Sequence, residues 1–159
     1  MSLRVEYAKQ SAEIYKKYLE MSLTVKSSSI ERTILHLVDL RASQMNGCAF
    51  CVDMHVKEAR IAGERELRLH HVAVWRESPL FSDRERAALE WTEILTKLPM
   101  HGVSDEVFAK VCEQFSEKEI SDLTFAIMAI NGWNRISIGF TAVPGSQDQA
   151  YGLTKAGLS

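Results

Sequence analysis

The stretch LRASQMNGCAFCVDMH, residues 40–55, contains the features that decide the fold of this chain. Asn46 and Gly47 tolerate left-handed backbone geometry, so they end the helix predicted before them. A new helix is predicted to begin at Gly47-Cys48 and to end at Gly63. The stretch therefore predicts two helices joined by a tight turn, with a Cys-x-x-Cys pair at the start of the second.

Helical spacing of apolar residues continues through the rest of the chain, and period-two alternation is nearly absent. Ser82-Asp-Arg-Glu85 and Ser116-Glu-Lys-Glu119 are capping boxes that mark two further helix starts. Together, the predicted helices lie at about residues 7–19, 30–45, 47–62, 64–75, 82–98, 104–115 and from 116 to before Pro144. We therefore predict an all-α fold: a single-domain bundle of six to seven helices spanning residues 1–159. Its core covers about residues 5–145, and residues 146–159 are expected to form a polar, frayed tail.

Composition excludes several classes of partner. A net charge of −2 and a pI near 6.2 give no basis for binding nucleic acid or an anionic membrane. No apolar run approaches the roughly 18 residues that a membrane-spanning helix needs. The first fifteen residues carry charges throughout and contain no apolar stretch typical of a secretory signal. We expect a cytoplasmic protein with no membrane partner.

Two cysteines and a histidine are predicted to share one side of the helix that begins at Cys48. At about 100° per residue, Cys51 and His55 fall within roughly 60° of the direction of Cys48. The four-residue step from Cys51 to His55 places the imidazole one turn beyond that sulfur. Free amide hydrogens and the helix dipole at the helix start would stabilise a thiolate there.

This arrangement suits redox chemistry at sulfur. One cysteine can attack an oxidant and become a sulfenic acid, and the other can condense with it to give a disulfide. External thiols would then reopen the disulfide. No metal or tightly bound organic cofactor is required, because sulfur carries the chemistry.

A zinc site is the main alternative from spacing alone, since structural zinc also uses Cys-x-x-Cys. Cys48, Cys51 and His55 would supply three ligands, but no second pair is present to complete a tetrahedral site. Cys112 could serve as the fourth ligand, although its position between Val111 and Phe115 favours a buried apolar role. A thioredoxin-type scaffold would require strands around the motif, and none is predicted.

Residues 40–55 closely resemble the core of the alkyl hydroperoxidase D-like proteins, which belong to the carboxymuconolactone decarboxylase superfamily. The similarity continues through residues 73–79, 85–93 and 129–135, and it covers about residues 5–145. The resemblance implies an all-α fold that assembles into trimers or hexamers. It also implies thiol-dependent peroxidase activity on a small hydroperoxide, with a thiol or dithiol as the reductant.

The family motif assigns roles to individual residues. It consists of a glutamate, eleven residues, Cys-x-x-Cys, three residues and a histidine, so Cys48, Cys51 and His55 match it position by position. The resemblance implies that Cys51 attacks and Cys48 resolves. The glutamate position is His36 in this chain, and we hypothesise that its imidazole replaces the carboxylate in a proton relay.

Two other functions remain open. The chain could be a family member without turnover that senses redox state or acts as a binding subunit. It could also be a lactone decarboxylase, although that branch of the superfamily does not depend on a Cys-x-x-Cys pair.

Overall fold

A computed structural model describes residues 2–158, and every regular element within that range is helical. The elements are α1 (Tyr7–Gln10), α2 (Ala12–Lys26), α3 (Arg32–Asn46), α4 (Ala49–Ile61), α5 (Glu66–His71), a 3₁₀ helix (Val72–Glu77), α6 (Asp83–Lys97), α7 (Asp105–Cys112), α8 (Glu117–Gly139), α9 (Asp148–Tyr151) and a second 3₁₀ helix (Leu153–Ala156). Six of these nine α-helices have eight or more residues. The predicted all-α fold is confirmed, with slightly more helices than the six to seven expected.

Helix α3 lies at the centre of the packing and contacts α4, α6 and α8. Its residues Ile34, Leu35 and Val38 belong to an apolar cluster shared with α6, α7 and α8. Leu37 and Leu40 belong to a second cluster, shared with α4, α5, the first 3₁₀ helix and α6. Because α3 contributes to both clusters, it fixes α4, which carries the Cys-x-x-Cys pair, relative to α8.

The predicted helix starts are confirmed where a capping signal was present. Ser82 and Ser116 each accept a hydrogen bond from the backbone amide three residues later, and the glutamates Glu85 and Glu119 return the contact. Ser104 caps α7 in the same way through the amide of Val107. Each cap satisfies an amide that would otherwise lack a partner at the end of a helix.

Two predicted helices are divided in the structure. The helix expected at residues 7–19 breaks at Ser11, whose φ and ψ of −123° and 48° are not helical, and then resumes as far as Lys26. The helix expected at residues 64–75 is shorter, because the chain tightens to 3₁₀ geometry from Val72 and Val74 leaves helical dihedrals.

The expectation of a frayed tail was wrong. Leu153 and Ala156 are buried, and the second 3₁₀ helix packs against α4. Lys57, buried on α4, donates to Asp148 at 2.7 Å and to Asp53 at 2.9 Å. The segment is polar in composition, but the apolar side chains of Leu153 and Ala156 and the ion pair of Asp148 with Lys57 attach it to α4.

The longest helix, α8, carries the polar residues Asn131, Asn134 and Arg135 among its apolar ones. Within residues 2–158, no helix combines the length and the apolar character needed to cross a membrane.

Candidate active site

The turn between α3 and α4 positions the Cys-x-x-Cys pair. Gly47 has a φ of 70°, a left-handed conformation that ends α3 at low steric cost. The amide of Cys48 then donates to the carbonyl of Ser43 at 3.0 Å. Cys48 is the N-cap of α4, and its sulfur accepts the amide hydrogen of Cys51 at 3.3 Å. The positive end of α4 therefore points at the sulfur of Cys48, where it would stabilise a thiolate.

Cys48 and Cys51 are joined as a disulfide, with their Cα atoms 5.3 Å apart. Both residues are only 1% exposed. The two sulfurs thus meet as the spacing predicted, and the chain can hold the pair in its oxidised form without disrupting α4.

A polar network between the end of α3 and α8 supports this turn. Asn46 donates to the side-chain oxygens of Asn131 and Asn134 at 2.9 and 2.8 Å, respectively. Asn134, fully buried, donates in turn to the hydroxyl of Ser43 at 3.0 Å. These bonds connect the end of α3 to α8 and limit the positions that Cys48 can take.

A cavity of about 410 Å³ lies between α2, α4 and α8 and reaches Cys51 and His55. Most of its wall is aliphatic or aromatic. The aromatic residues that line it are Tyr7, Tyr15, Phe50, Trp133 and Tyr151. Its size falls in the range of small-molecule pockets, so it can accept an organic ligand.

The two cysteines differ in their access to this cavity. Among the residues that the structure describes, Cys51 lines the cavity and Cys48 does not. A molecule in the cavity would therefore meet Cys51, while Cys48 lies behind it at the helix start. Which of the two sulfurs attacks stays a prediction from the family motif.

His55 lines the cavity and is 4% exposed. Its Nδ1 lies 2.9 Å from the Oε2 atom of Glu58 and 3.8 Å from the Oδ2 atom of Asp39. Its Nε2 is buried and has no hydrogen-bond partner within residues 2–158. One ring nitrogen is thus held by a carboxylate, and the other remains available to a reacting group.

Glu58 uses both of its carboxylate oxygens. Oε2 contacts His55, and Oε1 accepts a hydrogen bond from Lys26 at 2.8 Å. Burial by itself would raise the pKa of Glu58, but the contacts with His55 and Lys26 outweigh it and lower the pKa to about 2. Glu58 is therefore a carboxylate throughout the neutral range.

Asp39 lies in a different environment, although it also lines the cavity. Burial raises the pKa of Asp39, and the nearby charge of Glu58 raises it further, while His55 and Lys26 act in the opposite direction. Two carboxyl groups next to one imidazole thus have pKa values shifted in opposite directions.

His36, predicted to take the glutamate position, is 6% exposed on α3 and is not among the described residues that line the cavity. Burial lowers its pKa, the charges of Arg32, His55 and Lys26 lower it further, and Glu58 opposes them. His36 is therefore a neutral neighbour of the cluster near pH 7. Its part in a relay stays a prediction.

Sequence reasoning missed Glu58 and Asp39, the two carboxyl groups next to His55. Glu58 follows His55 by three residues on the same helix, so a helical wheel places both on one side. Asp39 follows His36 by three residues on α3, which offers a carboxyl group one turn beyond the expected position. The contact of α3 with α4 brings Asp39 to the imidazole, and local sequence does not report that contact.

Cys112 was expected to be buried, and this was wrong: its side chain is free and exposed at the end of α7. The neighbouring Val111 and Phe115 occupy the core, and the helical rotation between them turns Cys112 outward. In the part of the chain that the structure describes, no group of three or more His, Cys, Asp or Glu residues is arranged to hold a metal ion.

A model of the carboxymuconolactone decarboxylase family matches residues 12–93, more than half of the chain. The chain belongs to the carboxymuconolactone decarboxylase family. The matched residues include α2, α3 and α4, and therefore the Cys-x-x-Cys pair and His55.

Relatives support an alkyl hydroperoxidase D-like member of this family. The uncharacterized protein YdfG of Bacillus subtilis is 45% identical over 138 residues, which cover 87% of this chain and 94% of YdfG. A crystal structure from Agrobacterium tumefaciens, of a protein of unknown function with the suggested name antioxidant defence protein AhpD, is 45% identical. It has a TM-score of 0.86 and covers 90% of this chain and 98% of its own.

A peroxidase-related protein from Ralstonia eutropha, described as an alkylhydroperoxidase AhpD core, shares the fold at 18% identity. Its TM-score is 0.78, with 88% of this chain and 75% of that chain covered. The family member described here thus has the AhpD-like fold.

Proposed function

We propose that this chain is a thiol-dependent peroxidase that reduces an organic hydroperoxide through the Cys48–Cys51 pair. One observation carries the proposal: Cys51 lines a largely apolar cavity beside His55 and is bonded to Cys48 behind it. The structural relatives from Agrobacterium tumefaciens and Ralstonia eutropha, named as an antioxidant defence protein and a peroxidase-related protein, support the same class of reaction.

The first step is attack by the reduced pair on the peroxide. Nε2 of His55 takes the proton of the Cys51 thiol, and the thiolate attacks the terminal oxygen of the hydroperoxide. The O–O bond breaks, Cys51 becomes a sulfenic acid, and the departing alkoxide receives the proton from His55 and leaves as the alcohol. Sulfur is oxidised by two electrons and the peroxide is reduced by two.

The second step closes the disulfide, and the third reopens it. The Cys48 sulfur attacks the Cys51 sulfur, the S–O bond breaks, and water leaves with the proton of the Cys48 thiol. A dithiol, or two equivalents of a monothiol, then returns two electrons and two protons to the pair. Sulfur is the only redox centre in the cycle.

The cavity favours a hydroperoxide with an apolar body. Its wall of aromatic and aliphatic side chains gains contact with a hydrocarbon group, whereas hydrogen peroxide gains almost none. We therefore expect cumene hydroperoxide to be reduced with a higher kcat/KM than hydrogen peroxide.

The test is steady-state peroxide consumption with a dithiol reductant, using the full chain and its Cys51→Ser variant. We expect turnover in the parent protein and a rate at least about 100-fold lower in the variant. Equal rates in the two proteins would contradict it.

We propose a cytoplasmic homo-oligomer, a trimer or hexamer, and exposed apolar residues on α8 such as Phe125 and Met128 offer a surface for self-association. A small hydroperoxide and a thiol or dithiol reductant are the proposed partners.

The alternatives are a redox-sensing subunit without turnover, a zinc-stabilised module using Cys48, Cys51 and His55, and a lactone decarboxylase. Elemental analysis of the purified protein separates the zinc case. A sensing subunit would show no turnover in the peroxide assay. A decarboxylase would release carbon dioxide from a lactone acid.

A further inference from the structure

A line of neighbouring groups leads from the half-exposed end of α2 to the part of α4 that carries Cys51. Lys26 donates to Glu58 at 2.8 Å, and Glu58 contacts Nδ1 of His55 at 2.9 Å. His55 stands one turn beyond Cys51 on α4, and both residues line the cavity. The chain of groups is therefore Lys26, Glu58, His55 and Cys51.

The contact at Nδ1 determines where the imidazole carries its proton. An ionised carboxylate can only accept hydrogen bonds, so Nδ1 must be the protonated nitrogen when it faces Glu58. The lone pair of the neutral ring then lies on Nε2. That atom is buried without a hydrogen-bond partner among residues 2–158, and its residue lines the cavity.

Lys26 determines how the Glu58 side chain is used. An ammonium group can only donate hydrogen bonds, so the oxygen facing it must be an acceptor. With Oε1 assigned to Lys26, Oε2 is the oxygen left for His55.

We propose that Glu58 is the positioning residue of this site, fixing His55 as the Nδ1–H tautomer so that Nε2 can exchange a proton with Cys51, with Lys26 holding Glu58 in that orientation. The inference rests on the proposed peroxidase function for its effect on turnover. Its effect on the tautomer does not depend on any peroxide. In this chain, Glu58 provides the carboxylate contact that the family motif would place at position 36.

The other charged and titratable groups around His55 do not provide this contact. Asp39 on α3 is 3.8 Å from Nδ1, too far for a hydrogen bond, and burial raises its pKa. His36 on α3 is held neutral by burial, and burial also raises the pKa of Tyr151 on α9, to about 12. Glu58 is thus the group next to His55 that is both ionised and in contact.

The decisive variant is Glu58→Gln, because an amide is an acceptor on one side only. Lys26 can only donate, so the amide oxygen should turn to Lys26 and the amide NH₂ should face His55. A donor at that position forces Nδ1 to accept and moves the ring proton to Nε2, where it blocks removal of the Cys51 proton.

The tautomer is read from ¹⁵N chemical shifts of the His55 ring in the full-length protein, without any peroxide. We expect Nδ1–H in the parent protein and Nε2–H in Glu58→Gln. We also expect kcat for peroxide reduction to fall by about 100-fold, the low end of what a positioned acid-base group contributes. The matched control is Glu31→Gln, which removes the charge of an ion-paired glutamate that contacts Arg84 and lies outside the cavity.

A second variant separates orientation from general damage to the fold. In Lys26→Met with Glu58→Gln, the amide is free to rotate and offer its oxygen to His55. We expect this double variant to regain the Nδ1–H tautomer. Its kcat should be at least about tenfold higher than that of Glu58→Gln, a rescue that a merely structural role would not produce.

The outcomes distinguish this inference from the proposed function. An unchanged His55 tautomer in Glu58→Gln, or no rescue of the tautomer in the double variant, would overturn the inference. If the tautomer switches and is rescued while the parent protein consumes no peroxide, the positioning role of Glu58 stands and the peroxidase proposal fails.

Discussion

The Oε2 atom of Glu58 lies 2.9 Å from Nδ1 of His55, three residues earlier on the same helix. The second oxygen of Glu58 accepts a hydrogen bond from Lys26, so this carboxylate connects α4 to α2, which forms part of the cavity wall. Loss of its charge should therefore affect stability as well as chemistry.

Protonation of Glu58 in acid should lower the unfolding free energy of the protein. Its pKa is lowered from 4.5 to about 2, so the stabilisation is fully present above pH 4.5 and is lost as the pH falls towards 2. We expect a contribution of roughly 2–3 kcal/mol at most above that window. Chemical denaturation of the parent protein and Glu58→Gln at several pH values between 6 and 2 measures it. A stability difference that stays constant across this range would contradict the assignment.

Gly132 on α8 allows α2 to approach closely. A Cβ atom at this position would lie 1.9 Å from the hydroxyl oxygen of Tyr18 and 2.7 Å from its Cζ atom. That hydroxyl donates to the carbonyl of Ala129 at 2.7 Å. We expect Gly132→Ala to displace Tyr18, break this bond and lower the unfolding free energy by about 1–3 kcal/mol.

Thermal and chemical denaturation measure this effect, and Gly139→Ala is its control. A Cβ at Gly139, also on α8, meets nothing within 4 Å, so that substitution should leave stability unchanged or raise it by up to about 1 kcal/mol. Tyr18→Ala should remove the clash. Gly132→Ala should therefore lower the unfolding free energy less in the Tyr18→Ala background than in the parent protein. Equal effects of Gly132→Ala and Gly139→Ala would show that α2 does not pack as described.

The two cysteines should give different products when each is replaced. Cys51→Ser should lower peroxidase turnover by at least about 100-fold, because the sulfur that lines the cavity is lost. Cys48→Ser should complete a single turnover and stop at a sulfenic acid on Cys51. Trapping with dimedone followed by mass spectrometry checks both products. A sulfenic acid trapped on Cys48 in the Cys51→Ser variant would reverse the two roles.

Replacement of His36 should have a small effect. Its ring is buried without lining the cavity, and its lowered pKa keeps it neutral near pH 7. We expect His36→Ala to retain kcat within about threefold of the parent at pH 7. If both His36→Ala and His36→Glu match the parent, the relay role predicted for His36 is excluded. A loss greater than tenfold in His36→Ala with unchanged stability would instead restore it.

Local signals in the sequence account for the parts of the structure that were predicted correctly. The serine caps at Ser82, Ser104 and Ser116 each act within one turn of helix, and Gly47 acts at a single residue. Cys51 and His55 lie one turn apart on α4 and both line the cavity, so helical periodicity alone could find this pair. The fold class follows from such short-range features.

The parts that were missed depend on contacts between distant segments. Asp39 approaches His55 only because α3 packs on α4, and Lys26 reaches Glu58 across 32 residues of sequence. The buried positions of Leu153 and Ala156 likewise require the C-terminal segment to return to α4. A single sequence has no periodic signal for such contacts.

The central claim is that the pair at residues 48 and 51 exchanges electrons with a peroxide. It is tested most directly by mass spectrometry of the fully reduced protein before and after one equivalent of cumene hydroperoxide. We expect the intact mass to fall by about 2 Da, with a crosslink between Cys48 and Cys51 and one equivalent of cumyl alcohol. An unchanged mass, or peroxide consumed without that crosslink, would contradict the claim.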